Sequence, residues 1–168
     1  VGAEWKEQEY VFGYQPKTPE EFDIGFNYKV GNKWPLNAWP MDHWKELETI
    51  TANKYSISWQ QGLNNMEDYF EWINSCKLLV TNDSFGLHIA VALKKKVIAM
   101  IGPTNPRENY LYGLGTILTP ENLQCKYFPC IEEKCHHFED TCMRAITPLT
   151  VLQEIKNLLG GESQEQIN

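Results

Sequence analysis

The stretch that decides the fold is residues 78–93, which read LLVTNDSFGLHIAVAL. Its first four residues form a short apolar run of the kind found in strands that are buried on both faces of a parallel sheet. The run stops at Asn82 and Asp83. From Ser84 the apolar residues recur at helical spacing, with small residues between them that allow close packing against a sheet. A strand is therefore predicted to turn into a helix within about two residues.

A junction of this kind predicts where a ligand binds. In an open α/β sheet it lies at the carboxyl edge, where ligands collect. The first backbone N–H groups of the helix have no partner within the helix, and they carry the positive end of the helix dipole. A phosphate or another small anion is the ligand that such a site favours.

Strands and helices alternate on both sides of the quoted stretch. Further strands are predicted at residues 22–28, 55–59, 96–101 and 115–118, and further helices after Pro40, around residues 66–73 and after Pro148. This alternation predicts βαβ units and an α/β domain with a Rossmann-like, doubly wound parallel sheet. We expect residues 22–159 to form that domain, residues 1–21 to be a connecting or edge segment, and residues 160–168 to be a frayed tail.

Composition limits the class of protein. The chain has 168 residues, of which 42% are hydrophobic, and its net charge is −7. This length suits one domain, and the acidic balance disfavours nucleic acid as a partner. No apolar run approaches the roughly 20 residues of a membrane-spanning helix, so we expect a soluble protein. The amino terminus, VGAEWKEQEY, has neither an initiator Met nor a signal-peptide pattern, which suggests a cut from a longer protein.

The segment at residues 125–142 is rich in cysteine. Four cysteines follow the spacing C-x4-C-x4-C-x6-C, with two adjacent histidines: Cys125, Cys130, Cys135 and Cys142, with His136 and His137. Zinc sites usually contain more closely spaced pairs, so reduced, partly buried thiols are the favoured interpretation, and a structural zinc or iron is the alternative. The absence of a secretory signal argues against disulfides.

Longer motifs point to a known family. Residues 81–104, TNDSFGLHIAVALKKKVIAMIGPT, are accompanied by WPMDHWKEL upstream and by CM-x-x-I before the final helix. Together they resemble the ADP-heptose:lipopolysaccharide heptosyltransferases, glycosyltransferase family 9. The resemblance covers roughly residues 22–159. It implies the carboxyl-terminal half of a two-domain GT-B fold, which binds the nucleotide-sugar donor, without the amino-terminal acceptor half.

The family's D-[ST]-G-x-x-H signature lies at the start of the predicted helix. It is matched by Asp83, Ser84, Gly86 and His88. The Asp and the His keep the family's separation, but Phe85 stands where the family usually has Gly, and Gly86 follows it. The resemblance implies that these four residues bind the donor, with its pyrophosphate near Ser84. Considered without the resemblance, Asp83 and Ser84 are more simply a helix cap, and His88 a packing residue.

Two flanking loops extend the implied donor site. Family members commonly carry a Lys that contacts donor phosphate before the WP of the first loop, but here that position is Asn37, and Lys33 is expected to replace it. Without the resemblance, Lys33 would be interpreted as a solvated loop charge. The loop 102–104 also matches the family, which implies that Thr104 lies beside the same crevice. If Lys33 and the helix dipole carry the phosphate charge, no divalent metal cofactor is required.

The implied activity is transfer of a sugar from an ADP-heptose-like donor to an acceptor hydroxyl on a glycan, lipopolysaccharide or protein. The family usually supplies the general base from the amino-terminal half, so this chain alone is expected to bind donor without catalysis. The expected location is the cytoplasm, with at most peripheral contact at the inner membrane face. Two alternatives remain: a non-catalytic nucleotide-sugar-binding module, and an interaction domain stabilised by metal at the cysteines.

Overall fold

The computed structural model describes most of the chain. The described residues are 10–62, 64–121, 125–130, 132–137 and 141–160. Residues 1–9 of the predicted connecting segment and residues 161–168 of the predicted frayed tail lie outside them.

A parallel sheet forms the centre of the molecule. Within the described residues it contains five strands: β1 (Phe22–Asn27), β2 (Ile57–Trp59), β3 (Cys76–Asn82), β4 (Lys96–Met100) and β5 (Gly115–Leu118). Their order across the sheet is β2-β1-β3-β4-β5, and every neighbouring pair is parallel. The predicted strands are therefore present, and β3 lies at the centre of the sheet.

Helices cover both faces of the sheet. The described α-helices are α1 (Met41–Thr51), α2 (Met66–Asn74), α3 (Phe85–Ala92) and α4 (Pro148–Gly160), and 3-10 turns occur at Pro35–Asn37, Pro106–Glu108 and Cys142–Ala145. One core cluster contains the buried residues of α1 and α4, and a second contains those of α2 and α3. The predicted doubly wound α/β fold is confirmed.

The central strand explains why its sequence is an almost continuous apolar run. Leu78 and Val80 belong to the cluster under α1 and α4, whereas Leu79 belongs to the cluster under α2 and α3. Because β3 has a helix layer on each face, both sets of alternating side chains are buried. Lys77, near the start of the strand, is its one exposed residue.

The strand order also defines a crevice. From β1 the chain passes through α1 to the edge strand β2, and it then returns through α2 to β3, on the other side of β1. The direction of winding therefore reverses between β1 and β3, which is the switch point at which doubly wound sheets bind ligands. Asn27 and Asn82 end these two strands, and both are buried.

The segment that precedes β1 packs against α2. Glu71 of α2 accepts hydrogen bonds from the Tyr14 hydroxyl, from the Lys17 backbone N–H, and from both the backbone and the hydroxyl of Thr18. These bonds, chiefly those from Thr18 and Tyr14, lower the pKa of Glu71 to about 2. The described part of the predicted connecting segment is therefore hydrogen-bonded to the domain.

In the described ranges, no helix has the length and hydrophobicity needed to span a bilayer.

Candidate functional site

A cavity of about 420 Å³ opens at the carboxyl ends of β1 and β3. Three pieces of chain line it: residues 29–31 after β1, residues between 60 and 66 together with Tyr69 on the β2–α2 side, and residues 84–86 at the start of α3. The strand-to-helix junction singled out in the sequence is therefore one wall of a cavity at the switch point.

A buried polar network lies beneath the α3 wall. The Asn27 side-chain amide donates to the hydroxyls of Thr81 (2.7 Å) and Ser84 (2.9 Å), and its oxygen accepts from the Tyr69 hydroxyl (2.7 Å). Burial raises the pKa of Tyr69, so its hydroxyl stays protonated at neutral pH and can donate. Gly86 lies directly on this network, since a Cβ atom there would overlap the Tyr69 hydroxyl and the Asn27 amide nitrogen.

The start of α3 differs from a simple helix cap. Ser84 is the N-cap residue, with φ −156° and ψ 171°, but its hydroxyl makes no capping hydrogen bond. The Asp83 carboxylate does not cap the helix either, because it accepts a hydrogen bond from the Thr104 hydroxyl. The structure thus brings Asp83 and Thr104 into contact, next to Ser84 and Gly86. These are four of the six residues predicted to bind the donor.

Of these six residues, Ser84 and Gly86 line the cavity, whereas Asp83, Thr104, His88 and Lys33 lie outside its lining. His88 is exposed on α3, beyond the lined turn. The Lys33 side chain is also exposed, and its Nζ lies 5.3 Å from the centre of the Trp34 ring. Asn37, at the family's lysine position, is buried and donates to the Asp83 carbonyl at 3.3 Å.

One lysine that was not predicted from the sequence lines the cavity. Lys29 lies two residues after the end of β1, and its backbone N–H donates to the Gln60 side chain at 3.0 Å. Among the described residues that line the cavity, Lys29 is the one with a basic side chain, and its Nζ lies 5.7 Å from the centre of the Tyr28 ring. The signal that could have identified Lys29 was its place just after a strand that ends at the ligand edge.

Asn82 is a second residue that the sequence analysis left without a role. It is fully buried at the end of β3, where its side-chain oxygen accepts from the Trp39 backbone N–H (2.9 Å) and its amide donates to the Tyr28 carbonyl (2.8 Å). Asn82 therefore joins three segments: the exit of β1, the loop before α1 and the carboxyl end of β3. A polar residue at the end of a continuous apolar strand was the available signal.

The cysteine-rich segment lies beside the loop that carries Thr104. The Cys130 backbone N–H donates to the Pro103 carbonyl at 2.7 Å. His137 contacts two thiols, with its Nε2 3.6 Å from the Cys125 sulfur and its backbone N–H 3.4 Å from the Cys135 sulfur.

All five cysteines are described and none forms a disulfide. Burial, and then the neighbouring cysteines, raise the pKa of Cys142 to about 11. Among the residues that the structure describes, no three His, Cys, Asp or Glu side chains are placed to hold one metal ion.

Sequence comparison identifies relatives of the central segment. The model of glycosyltransferase family 9 (heptosyltransferase) matches residues 62–142. Lipooligosaccharide heptosyltransferase 2 of Campylobacter jejuni is 34% identical over 88 residues, which is 49% of this chain and 26% of that protein. Lipopolysaccharide heptosyltransferase 2 of Salmonella typhimurium is 29% identical over 125 residues, 72% of this chain and 35% of the relative. The chain thus matches roughly a third or less of these relatives' lengths.

Structural comparison gives the same family of folds. E. coli ADP-heptose LPS heptosyltransferase II superposes with a TM-score of 0.66 at 22% identity, covering 89% of this chain and 49% of that one. The iron-containing dodecameric glycosyltransferase TibC of enterotoxigenic E. coli gives a TM-score of 0.67 at 12% identity, covering 91% and 51%. A match to about half of each solved chain agrees with one half of a GT-B fold. The resemblance predicted from the motifs is confirmed: residues 62–142 match the model of glycosyltransferase family 9, and the chain is similar in sequence to heptosyltransferases.

Proposed function

We propose that this chain is the donor-binding half of a GT-B glycosyltransferase and that it binds a nucleotide-activated sugar of the ADP-heptose type. The observation that carries the proposal is the cavity of about 420 Å³ at the β1/β3 switch point, because one wall is the turn that holds the family signature. Its volume falls in the range of about 300–1,000 Å³ that is usual for small-molecule sites. Residues 22–159 are the proposed binding domain.

The donor pyrophosphate is proposed to bind at the start of α3. The backbone N–H groups of the first turn and the helix dipole attract an anion there, although the net charge of the chain is −7. Lys29 supplies positive charge from the cavity wall. Lys33, on the exposed loop that follows, neutralises the diphosphate leaving group as the glycosidic bond breaks, and no divalent metal is needed for that role.

The remaining signature residues are proposed to orient the donor. Asp83, held by Thr104, presents a fixed carboxylate that accepts hydrogen bonds from a sugar or ribose hydroxyl. His88 donates to a phosphate oxygen when the donor extends along the exposed side of α3.

The reaction that fits these groups is transfer of the sugar from the nucleoside diphosphate to an acceptor hydroxyl. The general base that removes the acceptor proton is assigned to the other half of the enzyme, so this chain binds donor without turnover. The proposed acceptor is lipopolysaccharide, another glycan or a protein. The names of the relatives, which are lipooligosaccharide and lipopolysaccharide heptosyltransferases, support a lipopolysaccharide-type glycan among these. The proposed location is the cytoplasm.

Calorimetric titration of the chain with ADP, ADP-heptose, UDP and GDP tests the proposal. We expect selective binding of the two adenine compounds. Asp83→Ala and His88→Ala should each weaken that binding by about 1–3 kcal/mol, or roughly 5- to 150-fold, the scale of a hydrogen bond to a charged group. Glu46→Ala, which removes an exposed carboxylate on α1, is the matched control and should bind like wild type. Wild-type affinity in both site variants would contradict the assignment.

One observation favours a non-catalytic binding module as a second candidate. Phe85, at the position where the family usually has Gly, is 52% exposed and lines the cavity. The ring therefore forms part of the cavity wall against which the donor is proposed to bind. A fusion of this chain to the amino-terminal half of a relative distinguishes the two candidates. Sugar transfer by the fusion would support the enzyme, and donor binding without transfer would support the binding module.

The third candidate is a structural zinc or iron bound at the cysteine-rich segment, residues 125–142. Thiolates and imidazoles are suitable ligands for either metal, and one structural neighbour, TibC, contains iron. The proximity of the His137 Nε2 to the Cys125 sulfur supports a shared site, whereas Cys135 contacts only the His137 backbone N–H, and the described side chains form no set of three ligands.

Elemental analysis of the purified chain tests this candidate. A structural site predicts about one equivalent of zinc or iron, and a fall in melting temperature on chelation. Cys135→Ser should release the metal, whereas Cys76→Ala, in the core under α2 and α3, should retain it. If the purified chain contained no metal and its melting temperature did not change on chelation, the candidate would be contradicted and the cysteines would be reduced thiols.

A further inference from the structure

The polar network under the cavity contains two residues to which the proposed function assigns no role. Asn27, the last residue of β1, is fully buried, and Tyr69 of α2 is nearly so. Neither belongs to the family signature at the start of α3. Both contact that signature, because Asn27 donates to Ser84 and a side chain at Gly86 would overlap Asn27 and Tyr69.

The hydrogen-bond partners fix the direction of each bond in the network. The Thr81 hydroxyl donates to the Asn82 carbonyl at 2.8 Å, so its oxygen accepts from the Asn27 amide nitrogen. This contact sets the orientation of the Asn27 amide, whose oxygen then faces Tyr69. The Tyr69 hydroxyl must donate to that oxygen, and it has no alternative acceptor among the bonds observed for it in the described structure.

The orientation of Asn27 determines what the Ser84 hydroxyl can do. Its oxygen accepts from the Asn27 amide at 2.9 Å, and its proton is not used to cap α3. Its other contact among the described residues is a long one, 3.4 Å, to the Thr81 oxygen. Because Ser84 lines the cavity, its O–H is available to donate to a ligand there.

We propose that Asn27 and Tyr69 are positioning residues that keep the Ser84 hydroxyl oriented as a donor to the phosphate of a bound nucleotide. The hydrogen bond from Tyr69 fixes the orientation of the Asn27 amide. The amide in turn donates to the Ser84 oxygen, so that the Ser84 hydroxyl proton faces the cavity. The same contacts set how closely the first turn of α3 approaches β1. The inference rests on the proposed function, because the phosphate is that of the proposed donor.

An isosteric substitution gives the sharpest test. In Asn27→Asp the side chain keeps its shape but loses its N–H group, so Ser84 must donate inward to the new carboxylate. The Ser84 hydroxyl then no longer donates a hydrogen bond to the phosphate, and the new carboxylate adds a negative charge beneath the site. We expect the affinity for ADP, measured by calorimetry at pH 8, to fall about 100-fold, which is more than the loss of a single neutral hydrogen bond would cause.

Removal of one hydroxyl tests the role of Tyr69. Tyr69→Phe should weaken ADP binding about tenfold, because the Asn27 amide is no longer locked. In a Ser84→Ala background the same substitution should have little further effect, since no hydroxyl remains to be oriented. Tyr55→Phe is the matched control, because the Tyr55 hydroxyl is buried without a hydrogen-bond partner among the described residues and lies outside the cavity lining. Its loss should leave ADP binding unchanged.

Adenosine, which has no phosphate, separates positioning from general damage to the fold. A positioning role predicts that Tyr69→Phe weakens ADP binding and spares adenosine binding. Equal weakening of both ligands, additive effects of Tyr69→Phe and Ser84→Ala, or unchanged ADP affinity in Tyr69→Phe would each overturn the inference while leaving the proposed donor site intact. If the wild-type chain itself bound no ADP, the proposed function would fail first and the inference with it.

Discussion

Gly86→Ala is expected to abolish measurable ADP binding and to lower the free energy of unfolding by about 2–4 kcal/mol. The new methyl group would overlap the Tyr69 hydroxyl and the Asn27 amide, which hydrogen-bond to each other in the buried network. Relieving the overlap requires either breaking that bond or lifting α3 away from β1. Alanine favours a helix over glycine by about 1 kcal/mol, which offsets only part of the loss.

Denaturant unfolding and ADP titration of the same variant give the two readouts. Gly13→Ala is the control, because a Cβ atom there has no neighbour within 4 Å and Gly13 lies outside the cavity. Its stability and its ADP affinity should match those of wild type. If Gly86→Ala bound ADP normally, the first turn of α3 would not form the phosphate site, and the donor would have to bind elsewhere along the cavity.

The layout of the fold was predictable because its signals are local. A run of apolar residues on β3 and helical spacing after Ser84 can be recognised without knowing what they contact. The apolar spacing of Trp44 and Leu47 on α1 is also a local signal, and both side chains are buried. The predicted strand at residues 55–59 shortens to Ile57–Trp59, since strand ends depend on the partner strand rather than on local sequence.

The candidate site was predictable where a family motif is continuous in the sequence or where a neighbouring loop, such as that of Thr104, also matches the family. Asp83, Ser84 and Gly86 lie in one turn, so a single pattern located them. The Asn27–Tyr69 network was not found because it depends on register: β1 pairs with β3 so that Asn27 lies opposite Thr81, 54 residues along the chain. The sequence around Asn27 contains no signal from which the pairing of β1 with β3 could be predicted.

The same limitation applies to the hydrogen bonds of the Ser84 side chain and to the position of Lys29. A Ser at an N-cap position usually bonds to its own helix, but here the distant Asn27 donates to the Ser84 oxygen. Lys33 was predicted because a family pattern places a lysine before a WP pair, and the sequence suggested no role for Lys29. The structure places Lys29 in the cavity wall because the chain turns immediately after β1.

Asn82→Ala is expected to lower the free energy of unfolding by about 2–4 kcal/mol, since it leaves two backbone groups without their partners and each unsatisfied buried group costs about 1–3 kcal/mol. The groups are the Trp39 N–H, which is buried, and the Tyr28 carbonyl, which is partly buried. Denaturant unfolding should show a lower midpoint with an unchanged slope, because native contacts are lost without a change in the surface that unfolding exposes.

Two anchors hold the loop before α1, the Asn82 side chain and the Trp39 side chain, and the unfolding midpoints show which of them is needed. Asn53→Ala, at an exposed position after α1, should leave the midpoint unchanged. The Trp39 side chain is an independent anchor, since it is buried and its Nε1 donates to the Ile146 carbonyl at 2.8 Å. If Asn82→Ala kept the wild-type midpoint, that anchor alone would fix the loop. A lowered midpoint would instead show that the end of β3 holds the loop that carries Asn37 against Asp83.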